Sequence, residues 1–452
     1  MNDSGGGSGL SFAEELLWSA DSDAAVTTPF LNCPSSLSTV FYLKGALNRS
    51  ALEASLSEIV RRHSVLRSRF VGIGDIPTRF CDPAAPVPIG DVNLGASQRP
   101  PLECAHPVLA REVQQPFELA RGPLVRALLV KLPGNEHAFA VTVHHIVFDA
   151  WSKRIFALEL QELYQRYVRD GRCILPPLSM TYSDYVSCQR DQLSSERTRQ
   201  QIDYWARQLA DMPRLSLPSD TAPVNATSNR TGTCSFDVAG SDNARLRKMA
   251  RECRVTTATL IFAILKTFLW RLIGSDDVAV GVPVSDRRRP EFEHLIGLFA
   301  NVVVVRTQFR AASTFRDCVA AVRASFAEAL LNQDVPYGYL VSLLGITQPV
   351  YRVFFNFVSD IDCSLTIPGL QAEPLTLVAP QRSTVDFGLD VRDRADALEF
   401  RCVYRADLFS STRMQECARQ FQTFVATVLE RPDQSIRNHA IEYLPPAHTS
   451  AD

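Results

Sequence analysis

No run of about 18 apolar residues occurs in this sequence, so it offers no obvious membrane-spanning helix. Charge of one sign is also missing: 47 basic residues face 49 acidic ones, for a formal net charge of −2. Nucleic-acid binding needs a clustered excess of Lys and Arg, so this balance argues against nucleic acid as the main partner. Lysine is scarce, with five residues (44, 131, 153, 248 and 266) among the 47 basic ones, a skew that reads as genomic base composition rather than function. Paired cysteine spacing is absent. The eleven cysteines are scattered without one CxxC, which indicates neither a zinc ribbon nor a disulfide framework and fits a reduced cytoplasm. Residues 1–10 are rich in Ser and Gly with no apolar core, so they read as a flexible leader and not a signal peptide.

What is present is a globular composition, 46% hydrophobic and 21% charged over 452 residues, enough for two large lobes. Strands are predicted at Ser38–Lys44, Leu124–Lys131 and Ala138–Val143, and a helix at Arg49–His63 behind the cap Asn48. Val65–Arg69 and Pro77–Phe80 read as extended and Pro107–Gln114 as helical. Trp151–Arg169 carries apolar residues at helical spacing. A loop-like stretch at Asp170–Pro177 marks a boundary, giving an N-terminal lobe over residues 11–175 and a C-terminal lobe over 176–452. Both halves mix strands with long helices in similar order, which predicts two related α+β lobes.

The strongest chemical cluster is Val141-Thr-Val-His144-His145-Ile-Val-Phe-Asp149-Ala-Trp151-Ser152. A β-branched strand runs into two histidines, then a short turn with an aspartate, then a helix. If the strand continues through the histidines, they point to opposite faces. Spacing alone allows two readings: a pair of core histidines with a helix-capping Asp149, or one imidazole facing a cleft. In the second, an imidazole can accept a proton from an attacking amine or alcohol, or steady the tetrahedral intermediate of acyl transfer. No G-x-S-x-G elbow supplies a covalent serine, so direct attack by the acceptor is the simpler scheme. No third ligand at suitable spacing supports a metal site.

The HHxxxD pattern followed by Ala-Trp-Ser resembles the signature of condensation domains of non-ribosomal peptide synthetases, relatives of chloramphenicol acetyltransferase. Further segments match in order: Ser11–Trp18 with SxAQxRLW, Arg62–Phe70 with RHExLRTxF, Tyr182–Tyr185 with YxDY, Ile296–Asn301 closing on Arg306 with IGxFVN…R, and Asn332–Pro336 with NQDxP. Three departures stand out. Glu14 and Leu16 replace the Gln and Arg of the first motif, Ala150 replaces a Gly, and the RDxSRNPL motif is almost absent around Thr347–Tyr351.

The resemblance implies two chloramphenicol acetyltransferase-like lobes in a V with a substrate tunnel between them. It makes His145 catalytic, His144 a support of the loop, and Asp149 structural, paired with Arg287. Trp151 and Ser152 shape the site, Asn356 lies on a strand facing the tunnel, His63 is structural, and Asp386 with Phe387 latches one lobe across the other. No bound cofactor or metal is expected. The donor, an acyl, peptidyl or polyketide chain, arrives as a thioester on the 4'-phosphopantetheine arm of a partner carrier protein.

The expected protein is a cytoplasmic, monomeric, freestanding condensation enzyme forming an amide or ester. Chain release onto a free small nucleophile is favoured over elongation with a carrier-bound aminoacyl acceptor. Three other readings differ in class. A non-catalytic recruitment module would lose its first His, an epimerase would carry EGHGRE-like or NYLG-like segments, and a coenzyme A-dependent acyltransferase shares only HxxxD.

Overall fold

The computed structural model describes residues 7–441 apart from 23–34, 75, 96–99, 172–174, 214, 222–229, 311, 347, 360–364, 368, 376–382, 384, 395 and 440. Residues 1–6 of the expected leader, residues 172–174 of the expected boundary, and Thr347 lie outside them. Residues 7–10 are no leader. Ser8 pairs with Arg79 through two backbone hydrogen bonds of 2.9 and 3.0 Å, and Leu10 is buried in the core. This segment therefore gains a backbone partner and an apolar anchor before the first helix begins.

In chain order the first part contains α1 (Phe12–Ser22), β1 (Ser36–Gly45), α2 (Arg49–Arg62), β2 (Ser68–Ile73), β3 (Ile76–Cys81) and β4 (Ile89–Asn93). It continues with α3 (Pro101–Gln114), β5 (Val125–Leu132), β6 (Glu136–His144) and α4 (Ala150–Asp170). Then follow α5 (Tyr182–Gln192), α6 (Glu196–Leu209), β7 (Thr231–Ala239), α7 (Gly240–Glu252), α8 (Thr257–Ile273), β8 (Asp277–Ser285) and β9 (Ala300–Gln308). The chain ends with α9 (Phe315–Leu331), α10 (Tyr337–Leu343), β10 (Val353–Ser359), β11 (Thr366–Ile367), β12 (Leu370–Leu375), β13 (Phe387–Asp393), β14 (Ala397–Arg405) and α11 (Ser411–Glu430).

Two six-stranded sheets organise these elements, ordered β11-β12-β1-β6-β5-β4 and β7-β14-β13-β10-β8-β9. The α+β class expected from the sequence is what the chain adopts. Side chains alternate along β6, and both of its faces are covered. Phe139, Val141 and Val143 join the core with α2 and α4, while Ala138 and Ala140 join a smaller core with Ala105 and Leu109 of α3. The α8 helix is buried from Leu260 to Trp270 and mostly apolar there, capped by Thr256 and ended by Gly274 at φ 73. The exception in charge, Lys266, donates from Nζ to the Val305 carbonyl at 2.6 Å and to Thr307 Oγ1 at 2.7 Å. Among the described residues, no single helix is long and apolar enough to cross a membrane.

Several local readings need correction. Ser64–Arg67 is a 3-10 turn, so the strand expected from Val65 starts at Ser68. The helix expected from Pro107 begins six residues earlier, at Pro101, with Pro107 inside it. The division at residue 175 is also too simple. β12 pairs antiparallel with β1, and Tyr182, Tyr185 and Phe299 pack in the first core, so the second half of the chain completes the first sheet. The crossing element is β11–β12. Asp386 and Phe387, expected to form the latch, instead stand just before and at the first residue of β13 in the second sheet, with Asp386 3.3 Å from Arg352 and 3.8 Å from Arg405.

Candidate active site

β6 ends at His144 and does not continue through His145, so the alternation rule stops there. The His144 amide donates to the Leu124 carbonyl and the His145 amide to the Ser35 carbonyl, each at 2.9 Å. A 3-10 turn over His145–Val147 follows. Both imidazoles are buried, His145 retaining 8% exposure. His144 Nδ1 accepts from the Ile146 amide at 3.1 Å, which fixes that ring as an internal brace of the turn. Burial, reinforced by the neighbouring His145, lowers its pKa to about 3.

His145 is held differently. Its Nδ1 lies 2.7 Å from the Phe148 carbonyl oxygen, which can only accept, so Nδ1 carries the proton. In the neutral ring Nε2 is then left with a lone pair. Burial lowers the His145 pKa, outweighing the raising effects of the backbone carbonyls and Asp149. A neutral, oriented imidazole is the result, and that is what a general base requires.

The turn is pinned from behind. Asp149 caps α4, its Oδ1 accepting from the Ser152 amide at 2.7 Å, while its Oδ2 accepts from the Phe299 amide at 3.1 Å. Arg287 Nη2 donates to Asp149 Oδ1 at 2.9 Å and to Ser152 Oγ at 3.0 Å. The Ser152 hydroxyl lies 2.7 Å from Asp149 Oδ1 and 2.9 Å from the Gly297 carbonyl, and it accepts from the Gly297 amide at 3.1 Å. Nε and Nη1 of Arg287 find no hydrogen-bond partner among the described residues. The guanidinium carbon instead sits 3.7 Å from the centre of the Phe299 ring, a cation–π contact.

The structure thus brings His144, His145, Asp149, Ser152 and Arg287 into one connected segment. Trp151 stands at its margin, 36% exposed, with its indole N–H donated to the Glu293 carbonyl at 3.1 Å. Asn356 is not joined to this network; it donates to Asp390 Oδ1 at 3.2 Å on the neighbouring strand β13. His63 bridges Glu159 at 2.9 Å and the Ile296 amide at 3.3 Å, tying the end of α2 to α4 and to the segment before β9.

Two departures from the motif pattern have local explanations. Ala150 is exposed at the start of α4 and is not among the residues with positive φ, so it needs no glycine-like backbone. Glu14 is fully buried and receives Arg79 Nη1 at 3.0 Å and the Ser11 amide at 2.7 Å, so its extra charge is paired. Sequence reasoning missed Arg79, whose only signal is an arginine in a short strand. It also missed the Phe148 carbonyl, a backbone group that no residue type announces. Gly297 was noted only as part of a motif. A Cβ there would lie 2.2 Å from the Tyr182 ring, so the close approach requires glycine.

Comparison with known proteins places this geometry in context. The condensation-domain family model matches residues 34–449. A linear gramicidin synthase of Brevibacillus parabrevis is 30% identical over 440 residues, covering 94% of this chain and 8% of that protein. Phosphinothricin tripeptide synthetase PhsB of Streptomyces viridochromogenes is 30% identical over 401 residues, covering 86% of this chain and 34% of that protein. The chain therefore spans only a small part of these relatives. Among solved structures, the X-domain from teicoplanin biosynthesis is 27% identical with a TM-score of 0.86, covering 96% of this chain and 97% of that one. The same domain in complex with OxyB gives 26% and 0.85, covering 97% of each chain. The first condensation domain of the calcium-dependent antibiotic synthetase shares the fold, with a TM-score of 0.82 at 21% identity, covering 98% of this chain and all of that one.

Proposed function

The chain belongs to the condensation-domain family of non-ribosomal peptide synthetases, and from that premise we propose that it transfers an acyl or peptidyl chain from a carrier-protein thioester to an acceptor. The observation that carries this reading is the fixed His145 tautomer, with Nδ1–H spent on the Phe148 carbonyl and Nε2 left basic. In the proposed step the acceptor nitrogen or oxygen attacks the thioester carbonyl and His145 Nε2 takes the proton it sheds. The carbon–sulfur bond then breaks, the sulfur of the 4'-phosphopantetheine arm takes that proton back from Nε2, and the arm leaves as a thiol, so it is substrate and not a resident cofactor. Asp149, Ser152 and Arg287 act by holding the turn, and His144 by bracing it.

The synthetase relatives support an amine acceptor and amide formation. Release onto a free small amine or alcohol is the other form of the same step. Polyketide donors and a cytoplasmic, monomeric enzyme belong to the proposal in the same way. A second reading, a docking platform for a partner enzyme, is favoured by the likeness to the X-domain crystallised with OxyB. The intact base at His145 favours catalysis.

Intact-mass spectrometry of an acylated carrier protein, with and without the chain and with a panel of free and carrier-loaded acceptors, tests the reading. Loss of the acyl group with matching product supports transfer, and the acceptor that reacts separates elongation from release. Replacing the acylated carrier by the same acyl group on coenzyme A tests carrier dependence. An acyl-carrier that stays loaded with every acceptor overturns the catalytic reading in favour of the platform.

A further inference from the structure

Away from the HHxxxD turn, three thiols lie where the second sheet packs on α11, two on the sheet and one on the helix. Cys234 of β7 and Cys402 of β14 are direct partners in the antiparallel register, and Cys417 lies on α11. The next pair on the same face, Phe236 and Phe400, stacks with ring centres 5.0 Å apart at 6°, which keeps the two strands in register beside the cysteines. Facing residues on antiparallel strands have Cα atoms roughly 4.5–5.5 Å apart. A disulfide accepts about 4.4–6.8 Å. Access differs between the two thiols. β7 is an edge strand and Cys234 is half-buried, whereas Cys402 is buried. An apolar cavity of about 40 Å³, lined by Cys402, Cys417, Phe236, Met414 and Phe421, leaves the Cys402 side chain room to turn.

We propose that Cys234 and Cys402 form a reversible oxidation site that closes to a cross-strand disulfide on exposure to a peroxide. The Cys234 thiol donates to the Met414 carbonyl at 3.7 Å, and the neighbouring Cys402 side chain holds the Cys234 thiol below the ordinary range, whereas Cys402 itself is pushed above it. Cys234, the half-buried thiol on the edge strand, is the one a peroxide can reach and is the attacking thiolate. Its sulfur attacks one peroxide oxygen, the O–O bond breaks, and hydroxide leaves, giving the sulfenic acid. The Cys402 sulfur then attacks Cys234 and gives up its proton; the S–S bond forms, the S–O bond breaks, and the oxygen departs as water. Two thiols lose two electrons in total, and the peroxide is reduced to two waters.

The test uses the full reduced chain, treated with a small excess of hydrogen peroxide, alkylated, and analysed by intact mass and peptide mapping. The expected result is the loss of two hydrogens, with a Cys234–Cys402 linked peptide that dithiothreitol removes. Cys417→Ser should retain the link, and Cys234→Ser and Cys402→Ser should abolish it. The wild-type chain is decisive, since its result does not depend on how the variants fold. Both thiols remaining open to alkylation, a link through Cys417, or oxidation stopping at a sulfinic acid would each overturn the proposal.

Discussion

Arg287 and Asp149, 138 positions apart, meet at 2.9 Å with both side chains almost fully buried. Burial alone lowers the Arg287 pKa, and Asp149 is the principal group opposing that cost. Removing one partner leaves a charge in the interior without compensation, at a cost of about 3–5 kcal/mol. Asp149→Ala and Arg287→Ala are each expected to lower the melting temperature markedly. The double variant should lose less than the sum of the two. Additive losses in a thermal-melt cycle would show that the two side chains do not act as a pair.

His145→Ala should lower transfer by at least ~10²-fold while leaving the circular dichroism spectrum and melting temperature near native. Near-native turnover with a reacting donor and acceptor would remove His145 from the chemistry.

The pH profile follows from burial. Because the His145 pKa lies below its ordinary value of 6.5, the neutral base persists as the pH falls past 6.5. The acid limb of kcat/KM should therefore lie on the acid side of 6.5. A limb above that value contradicts the burial of the base.

His144 predicts a stability effect of fixed sign. Its folded pKa is about 3 against an ordinary 6.5, so between these values the unfolded chain binds the proton that the folded chain refuses. Stability should fall as the pH drops from 6.5 towards 3. His144→Asn keeps a side-chain acceptor for the Ile146 amide and carries no titrating ring. It should flatten that part of a urea-midpoint-against-pH curve, and an unchanged slope would assign the acid sensitivity elsewhere.

Gly297→Ala drives a methyl group to 2.2 Å from the Tyr182 ring, so the segment carrying the Ser152 contacts must shift. A loss of about 1–3 kcal/mol is expected in chemical denaturation, with a parallel fall in transfer rate. A variant that melts and turns over like the wild type would show that the contact relaxes freely.

The site was legible where chemistry needs particular residue types in a short span. His144, His145, Asp149 and Ser152 fall within nine consecutive positions, and Arg287 was reached only through the family pattern. The Phe148 carbonyl that sets the His145 tautomer was not legible, because any residue presents a carbonyl. Strands with clean β-branched runs, such as Val141–Val143 in β6, were found. β13 was missed although Phe387, Leu389 and Val391 alternate with Gly388, Asp390 and Arg392, because so short a segment offers only three apolar positions to reveal the period. The short β11 and β12 carry too little pattern to stand out, and their significance comes wholly from the β1 edge they meet.

That edge matters for anyone recombining such chains. Leu370–Leu375 runs along Val40–Gly45, so a crossover placed between α4 and α5 would separate β12 from the strand it was selected to cover. A hybrid with a mismatched second half would expose the unpaired backbone of β1, an invitation to intermolecular strand addition and precipitation. Exchange of whole chains, or of halves that bring a matched Leu370–Leu375 with Val40–Gly45, avoids that hazard.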